Sequence, residues 1–212
     1  LVLREDLLAI GYSERTEETT IERLSEALKK AGSTVRHIVV VALPHERSCM
    51  HLDTVFTQVS EGECLCYSPM ILAGGAEEAD VYSVALTHDE IAWTPEHDFL
   101  SALKRRGLDL EPIPCGGRDP IDEQREQWTD GANAFAVAPG VIVCYDRNER
   151  TAEELDRHGY EIVRDEDLLL GRREIDPNGT KKVAIQLSTT ELARARGGPR
   201  CMTMPLVRER LG

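Results

Sequence analysis

An α/β fold with mixed strand pairing follows from three features of the sequence. Short apolar runs that read as strands alternate with helical patterns, but at irregular spacing. Hairpin signals such as Pro139-Gly140 interrupt that alternation, which a clean parallel doubly wound sheet would not show. No exact repeat, low-complexity segment or linker divides the 212 residues, so residues 1–212 are expected to form a single domain.

Taken in order, Leu7 to Gly11 is an apolar run closed by glycine and reads as a buried strand. A helix to about Ala31 follows, with Ile21, Leu24, Leu28 and Ala31 on one face. Ser13 or Thr16 is placed to cap its start and Gly32 to stop it. Glu14 therefore stands at a strand-to-helix junction, where a helix N-terminus favours a carboxylate. It reads either as a first-turn acid or as part of a site. Val35 to Leu43 is a second strand, closed by Pro44.

The segment Cys49 to Thr57 is informative if extended. Period-two alternation then puts His51 and Asp53 on one face and Leu52 on the other. A histidine beside a carboxylate supplies a proton carrier and a cation anchor together. The flanking Met50, Leu52, Val55 and Phe56 argue for burial, where charged groups are costly and need a purpose. The alternative is an ordinary surface pair.

Cys64 to Leu72 and Val81 to Leu86 read as strands, separated by a turn at Gly74-Gly75 and an acidic connector. That glycine pair lacks the lysine and longer pattern of a phosphate loop. Phe99 to Gly107 is a short helix, Leu110 to Ile113 a strand, and Cys115 to Ile121 a Gly/Pro-rich loop. Trp128, Asp130 and Asn133 read as a turn network before the apolar run Ala134 to Tyr145, which Pro139-Gly140 splits into two strands. Thr151 to His158 is a helix stopped by Gly159, Tyr160 to Val163 a strand, and Glu166 to Leu170 a helical turn. Val183 to Leu187 leads into the stretch Glu191 to Pro205.

Composition excludes several classes. Apolar residues at 41% and charged residues at 30% argue against disorder. A net charge of −13 repels nucleic acid and anionic membrane surfaces and attracts a cationic small molecule. No apolar run approaches the roughly 20 residues of a membrane span. The start, Leu-Val-Leu-Arg-Glu-Asp, has no initiator Met, basic leader or signal-type core, so a fragment is expected. The six cysteines are too sparse for a secreted disulfide scaffold, and Cys64-Leu-Cys66 has no second close pair to complete a zinc site. Reduced thiols in a cytoplasm, with no metal and no cofactor, are the expectation.

Cys201 follows a Gly-Gly-Pro loop, with Arg194, Arg196 and Arg200 in the seven residues before it. Nearby cations lower a thiol pKa, and the thiolate is the nucleophile, so this stretch is suited to covalent catalysis. Gly197 and Gly198 let the backbone approach a ligand closely. The competing reading is a structural cysteine beside a solvated arginine loop.

Read together, four segments change the picture. Gly-Tyr-Ser-Glu-Arg-Thr around Glu14, Met-His-Leu-Asp-Thr-Val-Phe-Thr around His51 and Asp53, Arg-Glu-Gln-Trp-Thr-Asp-Gly-Ala-Asn ending at Asn133, and Arg-Ala-Arg-Gly-Gly-Pro-Arg-Cys-Met-Thr-Met-Pro around Cys201 occur in that order. The chain resembles the arginine deiminase family of guanidine-modifying enzymes from end to end. The resemblance implies an α/β propeller of five blades, of which about three units are present, as in the C-terminal part of the catalytic domain. It implies hydrolysis of L-arginine to citrulline and ammonia without a cofactor, and a homo-oligomer. By position, Cys201 is similar to the nucleophile and His51 to the general acid and base. Asp53 is similar to a guanidinium-binding carboxylate, Glu14 to the residue supporting His51, and Arg196 to a loop arginine that holds substrate or gates the site. Carboxylates around a guanidinium fix it bidentately and favour a protonated histidine.

The sequence also departs from the family. No Phe-x-Arg-Asp motif, which carries a second guanidinium-binding aspartate, precedes Glu14, and Gly117-Arg-Asp119 comes too late in the chain. An arginine for the substrate carboxylate is ambiguous, with Arg36 a candidate. Two other readings therefore stay open: another guanidine-modifying hydrolase or amidinotransferase, and an inactive arginine-binding remnant.

Overall fold

The computed structural model describes residues 1–87, 91–188 and 192–206. Glu191, the first residue of the Cys201 stretch, lies outside the described residues. The chain opens with strands β1 (Val2–Arg4) and β2 (Leu7–Tyr12), helix α1 (Glu18–Lys30) and strand β3 (His37–Ala42). Next come β4 (Phe56–Gln58), β5 (Glu63–Cys66), α2 (Ser68–Ile71), β6 (Val81–Ala85) and β7 (Trp93–Glu96). They are followed by α3 (Phe99–Lys104), β8 (Glu111–Pro114), α4 (Pro120–Trp128), β9 (Phe135–Ala138) and β10 (Val141–Tyr145). The last are α5 (Glu149–Arg157), β11 (Glu161–Arg164), α6 (Asp165–Leu169) and β12 (Val183–Leu187).

The described strands form three sheets, ordered β1-β2-β3-β6-β7, β4-β5-β8 and β11-β12-β10-β9, and none closes into a barrel. Each sheet contains parallel and antiparallel neighbours, which is the mixed pairing the sequence predicts. β2 and β3 run parallel across the helical crossover of α1, while β3 and β6 run antiparallel. β5 is antiparallel to β4 and parallel to β8. β12 lies parallel to both β10 and β11, and β9 and β10 form the hairpin turned at Pro139-Gly140.

β3 shows why its residues form a central strand. Ile38, Val39, Val40 and Val41 are all fully buried. Val39 and Val41 face a core with Leu7, Ala9, Phe56 and Phe99, whereas Ile38 and Val40 pack with Ile21 and Leu28 of α1 and with Val84. A strand covered on both faces reads as a continuous apolar run, and this one does. The other two sheets share a core in which Leu65 and Ile113 meet Ile142, Ala184, Leu155 and Tyr160.

Several local expectations need correction. The segment expected to carry His51 and Asp53 on one face of a strand is not extended there. It forms 3-10 turns over Arg47–Cys49 and Leu52–Thr54, and only Phe56–Gln58 is strand. Thr54 decides this: its hydroxyl and its backbone N–H both donate to the His51 carbonyl, at 2.7 and 3.0 Å. Such local side-chain bonding competes with sheet pairing. The strand expected from Cys64 to Leu72 ends at Cys66, and Pro69 sits in the first turn of the short helix that replaces it.

α1 starts at Glu18 without a side-chain cap, because Ser13 and Thr16 pair with each other in an isolated bridge. Gly32 ends it at φ +64°, a conformation costly for other residues. α4 was not expected. Its buried residues are Glu123, Glu126 and Gln127, while Ile121 is exposed, so it carries no apolar stripe. Its start is instead fixed by Asp119, whose carboxylate accepts from Ile121 N and Asp122 N, and by Pro120. Among the described residues no helix is long and apolar enough to cross a membrane.

Candidate active site

The Cys201 loop lies against the turn that follows α4. Asp130, buried at 3% exposure, accepts a hydrogen bond from Gly197 N at 2.9 Å. The Tyr145 hydroxyl, at the end of β10, donates to the Gly197 carbonyl at 2.8 Å. The Asn133 side chain, fully buried, accepts from Cys201 N at 3.2 Å. Trp128, Asp130 and Asn133 are therefore more than a turn network: they are the bed on which residues 196–201 rest. Gly198 is required there by close approach, because a Cβ would stand 2.4–2.7 Å from atoms of the Asn133 side chain.

Arg196 crosses this bed with a left-handed backbone at φ 62°. Its guanidinium lies over the Trp128 ring at 4.6 Å, donates to the Trp128 carbonyl, and donates to the Ser48 carbonyl at 2.7 Å. One arginine thus ties the Cys201 loop to α4 and to the segment before His51. Gln127 reinforces the tie by donating to the same Ser48 carbonyl at 2.7 Å.

Asp53 enters from the other side. Its backbone carbonyl accepts from Asn133 Nδ2 at 2.9 Å, and its Oδ2 stands 4.0 Å from Cys201 Sγ. Arg200 Nε is also 4.0 Å from that oxygen. The other oxygen, Asp53 Oδ1, is buried and has no hydrogen-bond partner among the described residues. Leu52, buried in the first core, anchors the turn. The structure therefore brings together Cys201, Asp53 and the Arg196 loop.

His51 and Glu14 are brought near one another by their backbones. Ser13 Oγ donates to the Met50 carbonyl at 2.8 Å, which joins the β2–α1 junction to the residue before His51. The His51 side chain is exposed, and Glu14 forms an ion pair with Arg15 at 3.3 Å. No hydrogen bond joins Glu14 to His51 among the described residues. Arg36 precedes β3 and sits at the opposite end of that strand from His51 and Asp53, so it does not belong to this site.

The electrostatics reverse one expectation. Burial is the largest influence on the Cys201 thiol and pushes its pKa up, and the Asp53 and Asp130 carboxylates push the same way. The Gly198 N–H and the Asn133 amide pull it down but do not prevail. The arginines expected to activate the thiol are turned to other partners, Arg196 to the Trp128 and Ser48 carbonyls and Arg200 toward Asp53. Burial likewise raises the Asp130 pKa, against the opposing charge of Arg196. A cavity of about 520 Å³ lies elsewhere, beside α5 and the ends of β11 and β12, lined by Asp146, Glu149, Glu153, Asp156 and Arg164. It contains none of the residues above.

The site thus sets a cysteine beside a carboxylate, on a loop bedded on a Trp-Thr-Asp-Gly-Ala-Asn turn. The sequence model described as Arginine deiminase matches residues 1–208. The chain belongs to the arginine deiminase family. The arginine deiminase of Listeria welshimeri is 38% identical over 213 residues, which is 100% of this chain and 46% of that protein. That of Latilactobacillus sakei is 38% identical over 214 residues, again 100% and 46%. The chain thus spans about half the length of these relatives. Among solved structures, a cysteine-to-alanine mutant of AgrE in binary complex with L-arginine aligns at TM-score 0.50 and 13% identity. The alignment covers 91% of this chain and 20% of that one, and supports the fold.

In this arginine deiminase family chain the pieces suit a planar cation. An unsatisfied buried carboxylate oxygen costs free energy until a donor meets it. A guanidinium carries N–H donors of the kind that such an oxygen lacks. Among the described residues no cluster of three or more His, Cys, Asp or Glu is placed to hold a metal.

Sequence reasoning missed the part played by Asn133. It was visible only as one residue of a turn, and its two partners lie at separations of 80 and 68 residues.

Proposed function

We propose that the protein to which this chain belongs hydrolyses L-arginine to L-citrulline and ammonia through a covalent cysteine intermediate. The observation that carries this reading is the buried, unpaired Asp53 Oδ1 on a carboxylate whose other oxygen is 4.0 Å from Cys201 Sγ. Asp53 and Arg196 bind substrate, with Asp53 receiving guanidinium N–H groups. Cys201, its proton lost to solvent once the cation is bound, attacks the guanidinium carbon as a thiolate to give a tetrahedral adduct. His51 gives a proton to the leaving nitrogen, the C–N bond breaks, and ammonia departs from a thiouronium. His51 then takes a proton from water, which adds to the same carbon, and the C–S bond breaks to release citrulline and the sulfur. Glu14 supports His51 in its charged state.

The raised thiol fits a site that is activated by its own substrate. A guanidinium seated on Asp53 neutralises the carboxylate that holds the proton on Cys201 and adds a positive charge beside the sulfur. The similarity to arginine deiminases and the arginine bound to AgrE favour free arginine over other guanidines.

The finer architecture is also a proposal. Three sheets, each with a parallel pair and an antiparallel neighbour, suit three units of a five-bladed α/β propeller forming one catalytic domain. A cytoplasmic homo-oligomer completes this reading. The test is citrulline release from arginine by this chain and by a form extended upstream. This chain alone is expected to be weakly active or inactive, the extended form active, and the extended Cys201→Ala variant inactive. Activity that survives Cys201→Ala would end the assignment.

One observation favours a second reading, an arginine-binding remnant: burial and the Asp53 carboxylate push the Cys201 thiol up. Failure of the extended form to turn over arginine while still binding it would select that reading.

A further inference from the structure

We propose that Asn133 is the positioning residue that fixes the Cys201 sulfur against the Asp53 carboxylate and orients both for a bound cation. The inference rests on the deiminase reading for its purpose, but its geometry stands on other residues. Asn133 is fully buried and its amide is used at both ends. Nδ2 donates to the Asp53 carbonyl at 2.9 Å, and Oδ1 accepts from the Cys201 N–H at 3.2 Å. These partners also fix which way the amide points, since a flipped amide would set donor against donor and acceptor against acceptor. Gly198 packs so closely that no Cβ fits beside the amide.

No other side chain satisfies the same three conditions. Aspartate keeps the acceptor for Cys201 N–H but loses the donor for the Asp53 carbonyl. Leucine has the volume and neither partner. Glutamine has both groups on an arm one methylene longer, in a place where Gly198 leaves no room. The segments held by Asn133 come from a 3-10 turn and an irregular loop, neither of which is pinned by a sheet ladder at that point. A buried amide with two backbone partners is therefore what keeps carboxylate and sulfur at 4.0 Å. Near-attack geometry tolerates little error, so a loosened spacing costs rate.

The charged and polar groups around the sulfur include Asp53, Asp130, Arg200 beside Asp53, the Tyr145 hydroxyl of β10, the Gly198 N–H and the Asn133 amide itself. Removing the amide takes away this influence and frees the Asp53 turn and the Cys201 loop to shift against each other, so ionisation of the thiol should change.

Two measurements on this chain test the proposal without requiring turnover. Cys201 is the exposed one of the six cysteines, so iodoacetamide reports on it in the folded protein. In Asn133→Ala the midpoint of the pH–rate profile should move, and the alkylation rate at neutral pH should change with it, by about tenfold for a one-unit shift. A thermal unfolding curve shows that the variant is folded. A variant that is folded and less stable, yet alkylates with the unchanged profile, gives Asn133 a merely structural role and overturns the proposal. Should Asn133→Ala not fold, the unmodified chain decides. The side-chain amide resonance of Asn133, assigned by NMR, should shift with pH at the midpoint of the Cys201 titration. An Asn133 resonance that ignores that titration overturns the proposal. Neither readout involves arginine, so the deiminase reading can fail while this one stands, and the reverse.

Discussion

Asp53 Oδ2 and Cys201 Sγ stand 4.0 Å apart although 148 residues of chain separate them. This carboxylate opposes ionisation of the thiol, in the same direction as burial. In the proposed deiminase reaction, one guanidinium would satisfy the carboxylate and offer its carbon to the sulfur.

Removing the Asp53 charge should separate these two effects. In Asp53→Asn the thiol loses a like-charge neighbour, so its pKa should fall and its alkylation at neutral pH quicken by about two- to tenfold. Arginine binding by the upstream-extended form should weaken in the same variant. Iodoacetamide kinetics across pH and an equilibrium binding isotherm check the two halves. An unchanged thiol would show that Asp53 does not set its ionisation.

Gly198→Ala should destabilise the fold, since its Cβ would stand 2.4–2.7 Å from the buried Asn133 side chain. Overpacking of this kind costs about 1–3 kcal/mol. Gly62→Ala is the comparison, because a Cβ there meets nothing within 4 Å. Urea unfolding midpoints of the two variants should differ accordingly. Equal midpoints would mean that the loop yields without cost.

Glu63 should make part of the stability pH-dependent. It accepts from Lys182 Nζ at 2.7 Å, Ser60 Oγ at 2.9 Å and the Tyr160 hydroxyl at 3.2 Å, and so joins the β4-β5-β8 sheet to the strands beyond α5. Burial alone would raise its pKa, but these three partners prevail and hold it below the usual carboxylate value. A carboxylate depressed in the folded state contributes stability above its unfolded pKa and loses it as pH falls through the folded value. Glu63→Gln should therefore cost about 1–2 kcal/mol near neutrality, with the difference from the unmodified chain closing below about pH 4. Urea titrations at neutral and acidic pH check it. A pH-independent difference would assign the loss to shape instead of charge.

Much of the fold was legible where burial is two-sided or a turn is sharp. β3 declared itself because both its faces are covered, and the β9–β10 hairpin because Pro139-Gly140 forces a reversal. α4 was not legible, because its inward face carries Glu123, Glu126 and Gln127 in place of an apolar stripe. Glu126 shows why such a face is tolerated: its carboxylate accepts from Arg150 N, Thr151 N and Thr151 Oγ1, at 2.7–2.8 Å, and closes the start of α5. Polar burial of that kind leaves no periodic signal.

By itself the sequence determined the mixed α/β class, most strand positions and the family, since apolar runs, turn residues and ordered motifs are local properties of the chain. Tertiary structure alone decided that His51 and Asp53 sit around a 3-10 turn, that Arg196 turns to Trp128 and Ser48, and that Asn133 joins Asp53 to Cys201. The physical reason is distance. An arginine five residues from a cysteine in sequence can spend its charge elsewhere, while a carboxylate 148 residues away can add to the burial that opposes the thiol's ionisation.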